Sequence, residues 1–414
     1  MERRVVITGL GIIASNGIGK EKFWEAITLG ESGIKKITMF DASDYPTQIA
    51  GEVSNFRPLD FMSNKEARFI DRATQFIVAC AEMAIKDAGL DLSRENTERI
   101  GVDVGTAIGG QGWAFEQYEI FKKRGILGAN PLSIVATYPN ALSTQLSIRF
   151  NIKGGSETFS IGCSSGLSAI GHAFEKIRRG MLDIVLTGGS DAPLFLPIFA
   201  AFCLAGNMST RNINPKKASR PFDKMRDGLV LSEGAGIIVL EEFNHAVKRK
   251  AHIYAEVKGW GMTSDGYHIV EPDPDGEQAA RSIKIALKNS GISPLQIDYI
   301  CAFGISTKKS DVVETNVIKK VFKKYAYRIP LSSIKSMIGQ PLAASGVLQL
   351  ITSVLAIESN IIPPTINYEY VDPECDLDYV PNESRRKKVR NVLTYTFGFG
   401  GKNVSLIVAK IEKI

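Results

Sequence analysis

Histidine is scarce in this chain of 414 residues, which contains only His172, His245, His252 and His268. Any mechanism that needs a histidine must therefore use one of these four side chains. Cysteine is also sparse, since the five cysteines are odd in number and widely spaced. This spacing excludes a disulfide scaffold and a paired-cysteine zinc site, and it is typical of a reduced cytoplasmic protein. We therefore expect a cytoplasmic location and no bound metal.

Long apolar runs and strong charge are missing as well. The longest apolar stretch, residues 192–205, is too short to span a bilayer and contains two prolines. The formal net charge is only +6, and the short basic runs at 319–324 and 385–390 belong to no recognisable nucleic-acid-binding module. We therefore expect neither a membrane span nor nucleic-acid binding.

The composition that is present favours a large folded core. Hydrophobic residues make up 44% of the chain, and its length allows two or three domains or one duplicated fold. Strand-like runs such as RIGVDVG and GAGIIVLEE alternate with helical patterns over residues 65–89, 164–180 and 276–290. This alternation predicts an α/β fold in which helices cover both faces of the sheet. We expect Asn64 to cap the first of these helices and Gly89 to end it.

Four segments recur in the same order later in the chain. For example, RRVVITGLGIIAS is echoed by AEVKGWGMTSD, and TFSIGCSSGLSAIGHAF is echoed by LSSIKSMIGQPLAASGVLQL. The echoes predict two similar halves, residues 1–253 and residues 254–414. Each half would supply loops at the carboxyl ends of its strands, where α/β sheets place their sites.

Cys163 is the main candidate for chemistry, because it lies between a strand-like run and a helical pattern rich in small residues. A thiol at a helix N-terminus interacts with the positive end of the helix dipole, so we expect the thiolate of Cys163 to be favoured. The small residues 164–166 leave room for a substrate and for backbone amides that face an oxyanion. The alternative, a buried structural cysteine, is disfavoured by this strand-to-helix position.

Two glycine-containing segments are weaker candidates. TFGFGGKN, residues 396–403, predicts either a turn between two strands or a backbone that closely approaches a ligand. GLGIIA, residues 9–14, matches a variant dinucleotide fingerprint, but no sustained helical pattern follows it. We therefore expect no nicotinamide site.

The motifs SIGCSSGLSAIGHA, MSTRNINPKKASRPFDKMRDGLVLSEGAG, PPTIN and FGFGGKN together resemble those of the β-ketoacyl-[acyl-carrier-protein] synthases. The resemblance is strongest to the type II elongating condensing enzymes of fatty acid and polyketide synthesis, and it covers essentially the whole chain. It implies a thiolase-like duplicated fold, a layered αβαβα arrangement with two five-stranded mixed sheets. It also implies a dimer that works with acyl carrier protein.

In this family a cysteine accepts the acyl chain from acyl carrier protein, and two histidines hold the malonyl thioester while it decarboxylates. The resemblance assigns the nucleophile to Cys163. It aligns Phe303, in AFGIST, and Gln340, in KSMIGQ, with the positions of the two histidines. The resemblance therefore implies that acyl transfer is retained and that malonyl decarboxylation is impaired or altered.

Further site residues follow from the resemblance alone. It implies a catalytic network that includes Lys335, Glu314 and Asp311, oxyanion and gating roles for Phe399 and Gly400, an acyl-pocket position for Ile108, pantetheine contacts from Ser306 and Thr307, and carrier-protein docking through Lys65 and Arg68. No resident cofactor is expected, because 4'-phosphopantetheine arrives on the acyl carrier protein.

Three functional hypotheses stay open at this stage. The chain is an acyltransferase that uses Cys163, or a specialised synthase in which Gln340, Lys335 or a partner's residue supports decarboxylation. Alternatively, it is a non-condensing, chain-length-factor-like subunit that forms a heterodimer with an intact synthase rather than a homodimer. Such subunits usually lack the cysteine, so the presence of Cys163 favours an enzyme.

Overall fold

Strands and helices alternate along the computed structural model, which describes residues 2–412. The strands are β1 (Val5–Ala14), β2 (Gly17–Ile18), β3 (Lys35–Lys36), β4 (Ile49–Ala50), β5 (Ile100–Gly105), β6 (Ser156–Phe159), β7 (Ile184–Asp191), β8 (Gly234–Glu242), β9 (Ala255–Ser264), β10 (Tyr299–Cys301), β11 (Leu331–Ser332), β12 (Ile361–Ile362), β13 (Arg385–Arg386), β14 (Asn391–Gly398) and β15 (Lys402–Ala409). The helices are α1 (Lys20–Thr28), α2 (Asn64–Ala67), α3 (Arg72–Asp87), α4 (Gln111–Arg124), α5 (Ser133–Thr137), α6 (Ala141–Arg149), α7 (Ser165–Arg178), α8 (Leu196–Leu204), α9 (Phe243–Lys248), α10 (Glu277–Ser290), α11 (Lys308–Phe322), α12 (Lys335–Ile338) and α13 (Ala344–Ser359).

The central sheet contains two sets of five strands with the same pairing pattern. The order is β11-β10-β14-β15-β9-β1-β8-β7-β5-β6. From each outer edge inward, two parallel pairings are followed by two antiparallel pairings. The sets join where β1 pairs with β9 over Val5–Ile7. The predicted thiolase-like duplicated fold is confirmed, and the two five-stranded mixed sheets are in addition hydrogen-bonded to each other.

The layers follow from the burial of the helices. Helices α7 and α13 contact each other between the two sheets, while α3 packs on β1 and β8, and α10 packs on β9 and β15. Helix α13 is buried from Ala344 to Ile357, because its sequence is apolar or small on every side. This is the predicted αβαβα arrangement. The predicted boundary at residues 253 and 254 falls in the connection between α9 and β9 and stays a prediction.

The single helix predicted over residues 65–89 is wrong. Two helices, α2 and α3, occupy this segment, and their N-caps are Ser63 and Asp71 rather than Asn64. Ser63 forms a capping box with Glu66, and the Asp71 carboxylate accepts hydrogen bonds from the backbone amides of Ala73 and Thr74. Each cap starts a new helix, so the chain turns between them. Gly89, which has a φ of 58°, follows the second helix closely.

Candidate active site

Cys163 lies in the tight turn between β6 and α7 and is only 6% exposed. Gly162 adopts a φ of 71°, a conformation that favours glycine. The Ser165 hydroxyl donates to the Gly162 carbonyl oxygen at 2.6 Å and accepts from the Ile161 amide at 2.8 Å. These bonds hold the sulfur just before the first turn of α7, the position that the sequence predicts.

The glycine-rich segment is a turn between two strands, one of the two predicted alternatives, and it lies against Cys163. It joins β14 to β15, and Gly400 in the turn has a φ of 76°. Ser164 connects the turn to α7, because its hydroxyl donates to the Lys402 carbonyl oxygen at 2.7 Å. The Phe399 amide opposes the rise in the pKa of the Cys163 thiol. The segment is therefore both a turn and a wall of the site.

A cavity with about 30 Å³ of free space joins Cys163 to Phe303 and Gln340. The rest of its wall is mostly apolar and includes Phe202, Leu229, Ile305, Leu342, Phe397 and Phe399. The free space is enough for about two water molecules.

A second, wider pocket of about 240 Å³, here called the outer pocket, adjoins this cavity. Both spaces are lined by Phe399, Ser310, Val270 and Pro272. Thr307 lines the outer pocket, and its hydroxyl is buried without a hydrogen-bond partner among the described residues. The Ser306 hydroxyl instead accepts from the Arg220 amide at 2.9 Å. The structure therefore places Thr307, but not Ser306, on the wall of the outer pocket.

The expected preference for a Cys163 thiolate is wrong in this structure. Burial, followed by the charge of Asp191, raises the pKa of the thiol to about 11. The Gln340 side chain, Lys335 and the Phe399 amide act in the opposite direction. The prediction took only the helix dipole into account, but loss of water around a buried sulfur disfavours the charged form more strongly. The thiol is therefore the resting form.

Phe303 is buried and presents an apolar ring to the cavity. The Lys335 ammonium lies 4.6 Å from the centre of this ring, within the distance of a cation–π interaction. The Phe303 and Gly304 amides donate to the Glu314 carboxylate at 2.9 and 2.8 Å. Burial and the nearby Asp311 raise the pKa of Glu314 to about 7. Glu314 thus holds the backbone at Phe303, while the ring itself cannot donate a hydrogen bond.

Lys335 is 1% exposed and pairs with a neutral amide. Its ammonium donates to Gln349 Oε1 at 2.8 Å. The Gln349 amide group donates in turn to the carbonyl oxygens of Ala302 and Tyr395, both at 3.0 Å. Burial lowers the pKa of Lys335 to about 8, although Cys301, Glu314 and other nearby groups act in the opposite direction. Lys335 is thus a buried cation that no carboxylate of residues 2–412 contacts directly.

Asp311 supports the loop that carries Ile305. Its carboxylate accepts from the amides of Phe222 at 2.8 Å and Ile305 at 3.2 Å, and the Arg226 guanidinium lies 3.5 Å away. Burial raises the pKa of Asp311 to about 6, and Arg226 acts against this rise. Asp311 does not line the cavity, so it acts on the site through the loop.

Three other predicted residues lie outside the cavity. The side chain of Ile108 packs against the apolar cluster that contains Cys163, and its amide donates to Asp191 at 3.2 Å. Lys65 on α2 and Arg68 directly after it have exposed side chains. The roles assigned to these three residues stay predictions.

All four histidines have partners elsewhere in the structure than Cys163, Phe303 and Gln340. His172 stacks on Phe159 and contacts Trp260, His245 pairs with Glu241 and Glu95, His252 pairs with Glu358, and His268 accepts the amides of Val270 and Glu271. Among the described residues that line the cavity, none is a histidine. Residues 2–412 also contain no cluster of three or more side chains suited to hold a metal ion, and none of their helices could cross a membrane.

Asp191, Ser345 and Gln349 contact site residues but are not among those predicted from the sequence; the Ser345 hydroxyl, for example, donates to Gln340 Oε1 at 2.7 Å. Asp191 is fully buried, and its carboxylate accepts from the Thr106 hydroxyl at 2.7 Å and from the Ala343 amide at 2.8 Å. An acidic residue at the end of the apolar strand β7 was a usable signal, because buried carboxylates at strand ends often belong to sites. Ser345 and Gln349 had no such signal, because both lie on a helix that is buried on all sides.

Comparison with known proteins gives consistent results for the whole chain. Residues 2–246 match the N-terminal domain of beta-ketoacyl synthases, and residues 254–369 match the C-terminal domain. The chain is 43% identical over 413 residues to 3-oxoacyl-[acyl-carrier-protein] synthase 2 of Coxiella burnetii, with 99% of each chain covered. It is 41% identical over 416 residues to the tetracenomycin polyketide synthase ketoacyl synthase alpha subunit of Streptomyces glaucescens, covering 99% of this chain and 97% of that one.

Two solved structures are similar along their full length. One is a type II polyketide synthase acyl-carrier protein in complex with its ketosynthase bound to the hexaketide, with a TM-score of 0.92, 35% identity and 100% of both chains covered. The other is the ishigamide ketosynthase/chain length factor, with a TM-score of 0.93, 34% identity and 100% of both chains covered.

Proposed function

The chain belongs to the β-ketoacyl synthase family, and we propose that it accepts an acyl chain from acyl carrier protein on the sulfur of Cys163. The observation that carries this proposal is the cavity that contains Cys163, Phe303 and Gln340 together. In the proposed step the sulfur attacks the thioester carbonyl carbon and the bond to the pantetheine sulfur breaks. The Cys163 proton ends on the departing pantetheine thiol, so the step is balanced.

Backbone groups supply most of what this acyl transfer needs. The amides of Cys163 and Phe399 are the proposed donors to the tetrahedral oxyanion, and preorganised donors of this kind are a large part of acyl-transfer catalysis. Helix α7 adds the positive end of its dipole. These contributions do not depend on a histidine.

Malonyl decarboxylation is, in our proposal, impaired or altered. Negative charge develops on the malonyl thioester oxygen in this step, and the loss of one aimed donor costs about 10²–10³ in rate. Phe303 offers no donor, and Gln340 offers a single neutral amide. Lys335 lies beside the Phe303 ring at 4.6 Å and is engaged by Gln349. We therefore propose an acyltransferase of the 3-oxoacyl synthase type with a non-standard active site.

We propose that the phosphopantetheine arm reaches Cys163 through the outer pocket. The unpartnered Thr307 hydroxyl in that pocket suits a hydrogen bond to the arm. Lys308 and Lys309 also line the pocket at the start of α11, where helix dipole and lysine charge both favour an anion such as the arm's phosphate. Exposed Lys65 and Arg68 are the proposed docking cations for the acidic carrier protein. No resident cofactor is part of the proposal.

We propose a dimeric, cytoplasmic protein with halves at 1–253 and 254–414. An apolar surface supports the dimer, because large side chains between residues 115 and 138 are exposed: Phe115, Tyr118, Phe121, Ile126, Leu127, Leu132, Ile134, Val135 and Tyr138. Patches of this kind mark protein interfaces. The partner is a second copy or an intact synthase. A purely non-condensing role is not favoured, since Cys163 is present in the cavity.

Intact-mass spectrometry after incubation with acyl carrier protein thioesters tests the proposal. We expect the mass to increase by one acyl group in the wild-type protein and in Cys203→Ala, a control at a half-exposed cysteine on α8. We expect no increase in Cys163→Ala. An unmodified wild-type protein, or an acyl group that persists in Cys163→Ala, would contradict the proposal.

A further inference from the structure

The proposed docking cations Lys65 and Arg68 belong to a segment that packing alone does not hold. Helix α2 has four residues and buries none of them. A helix of one turn is not stable by itself in water, because its hydrogen bonds do not offset the cost of ordering the backbone. Met62 and Ile70, each 6% exposed, anchor the chain before and after the helix. These anchors fix the ends of the segment 63–69, and other contacts must set the direction in which the helix between them faces.

The guanidinium of Arg149, the last residue of α6, connects α2 to α3. It donates to Glu66 Oε1 on α2 at 2.6 Å and to the Phe61 carbonyl oxygen at 2.7 Å. Two further bonds, at 2.9 and 2.7 Å, go to Glu82 Oε1 on α3. A guanidinium only donates, whereas ionised carboxylates and carbonyl oxygens only accept, so each of these bonds has one possible direction. Arg149 therefore ties α2 to two longer helices at once.

Gln75 on α3 holds the other end of α2. Its NH₂ group donates to the carbonyl oxygens of Ala67 at 2.9 Å and of Ile70 at 3.3 Å. Carbonyl oxygens only accept, so both contacts assign the nitrogen of the amide to this side. The tethered residues, Glu66 and Ala67, are the two that lie between the docking cations at positions 65 and 68. The tethers of α2 thus act directly on the backbone that carries both cations.

We infer that Arg149 and Gln75 are positioning residues that hold α2 so that Lys65 and Arg68 face the acyl carrier protein together. This inference rests on the proposed function, in which these two cations dock the carrier protein. An exposed ion pair is weak when its side chains must first be ordered, so a helix held in place binds more tightly than one that frays. Neither Arg149 nor Gln75 lines the cavity of Cys163. Both therefore act on docking rather than on the acyl-transfer step.

The rate of Cys163 acylation, measured against the concentration of acyl carrier protein thioester, tests the inference through a half-saturating concentration and a maximal rate. We expect Arg149→Gln and Gln75→Leu each to raise the half-saturating concentration about two- to fivefold, the size of one or two exposed ion pairs. The maximal rate should stay the same. Gln75→Leu removes no charge, so its effect cannot come from the loss of a cation. Lys153→Gln, at an exposed lysine four residues after Arg149, is the charge control and should match the wild type.

A second background separates positioning from the charge of Arg149 itself. When Lys65→Ala is combined with Arg68→Ala, no docking cations remain to be positioned. Arg149→Gln and Gln75→Leu should then raise the half-saturating concentration no further. An unchanged half-saturating concentration in either single variant, or an increase that persists without the docking cations, would overturn the inference.

Limited digestion with trypsin tests the tethers without the carrier protein, so the two proposals fail separately. Trypsin cleaves after lysine and arginine, and peptide mapping compares the bonds after Lys65 and Arg68 with the bond after exposed Lys324. Relative to that bond, we expect cleavage in α2 to be about three- to tenfold faster in Arg149→Gln and Gln75→Leu, the size expected for a lost hydrogen bond. A wild-type protein that is never acylated contradicts the proposed function, and the digestion then decides the inference. Unchanged digestion of both variants contradicts only the inference.

Discussion

The two sides of the Cys163 cavity differ in the groups that supply their chemistry. On the α7 side, the turn around Gly162, the Ser164 bond to the glycine-rich turn and the Phe399 amide are mainly backbone features. On the opposite side, the chemistry depends on the side chains of Phe303 and Gln340. Backbone donors survive substitution, whereas side-chain donors are lost with a single residue. The proposed acyl transfer and the decarboxylation therefore depend on different sides of the cavity.

The duplicated fold relates the loops that carry Cys163 and Gln340 to each other. Cys163 precedes α7 and Gln340 precedes α13, and these are the two helices that contact each other in the middle layer. The halves share one strand-pairing pattern, so each contributes the loop before its central helix to the same cavity. One loop carries Cys163, the proposed nucleophile, and the other carries the neutral amide of Gln340.

The largest effect is expected when histidines replace both Phe303 and Gln340, on the side of the cavity that depends on side chains. In Phe303→His combined with Gln340→His, two donors face the cavity again. We expect carbon dioxide release from malonyl carrier protein to rise about 10²-fold or more, while acylation of Cys163 changes little. Phe397→His, which changes another aromatic residue of the cavity wall, is the control. If the double variant releases no more carbon dioxide than the control, the residues at positions 303 and 340 do not limit decarboxylation.

A smaller effect concerns the free energy of unfolding and its dependence on pH. The folded pKa of Lys335, about 8, lies below the ordinary value of 10.5. Between these values the unfolded chain binds more protons at this site than the folded chain, so stability rises with pH. Relative to Lys335→Met, we expect the wild-type free energy of unfolding to increase by about 3 kcal/mol from pH 8 to pH 10.5.

Urea unfolding at several pH values measures this difference. Lys324→Met, at an exposed lysine, is the control and should run parallel to the wild type. If Lys335→Met also runs parallel to the wild type, the lysine is not held as a buried cation beside Phe303.

The smallest effect is expected on the backbone side. Ser164→Ala removes the 2.7 Å bond to the Lys402 carbonyl oxygen, which should lower the free energy of unfolding by about 1 kcal/mol and slow acylation only modestly. Ser160→Ala, at an exposed serine of the same turn, is the control. Complete loss of acylation in Ser164→Ala would mean that this side depends on side chains as much as the other does.

Much of the fold and one side of the site could be predicted from sequence. Alternating strand and helix patterns with ordered echoes indicated the duplicated α/β fold, and Cys163 was identified by its place between a strand and a helix. The break between α2 and α3 was missed although its signals, the caps Ser63 and Asp71, are local. The apolar pattern continues across both caps and, taken alone, indicates one helix.

The remaining properties of the site depend on contacts between distant segments. The raised pKa of Cys163 comes from burial and from Asp191 on β7, and the Gln340 side chain meets the Ser345 hydroxyl of a buried helix at 2.7 Å. The carbonyl oxygens of Cys301, Ala302 and Tyr395 accept from the Gln349 NH₂ group. This leaves Gln349 Oε1 facing the Lys335 ammonium. No local pattern reports which way a buried amide faces.

The most direct test of the central claim uses one sample of the wild-type protein. The protein is first loaded with an acyl chain from acyl carrier protein, and labelled malonyl carrier protein is then added while carbon dioxide and the intact mass are followed. We predict that the acyl group on Cys163 persists and that carbon dioxide is released little faster than without the protein. Rapid carbon dioxide release with loss of the acyl group to a β-ketoacyl product would contradict the account.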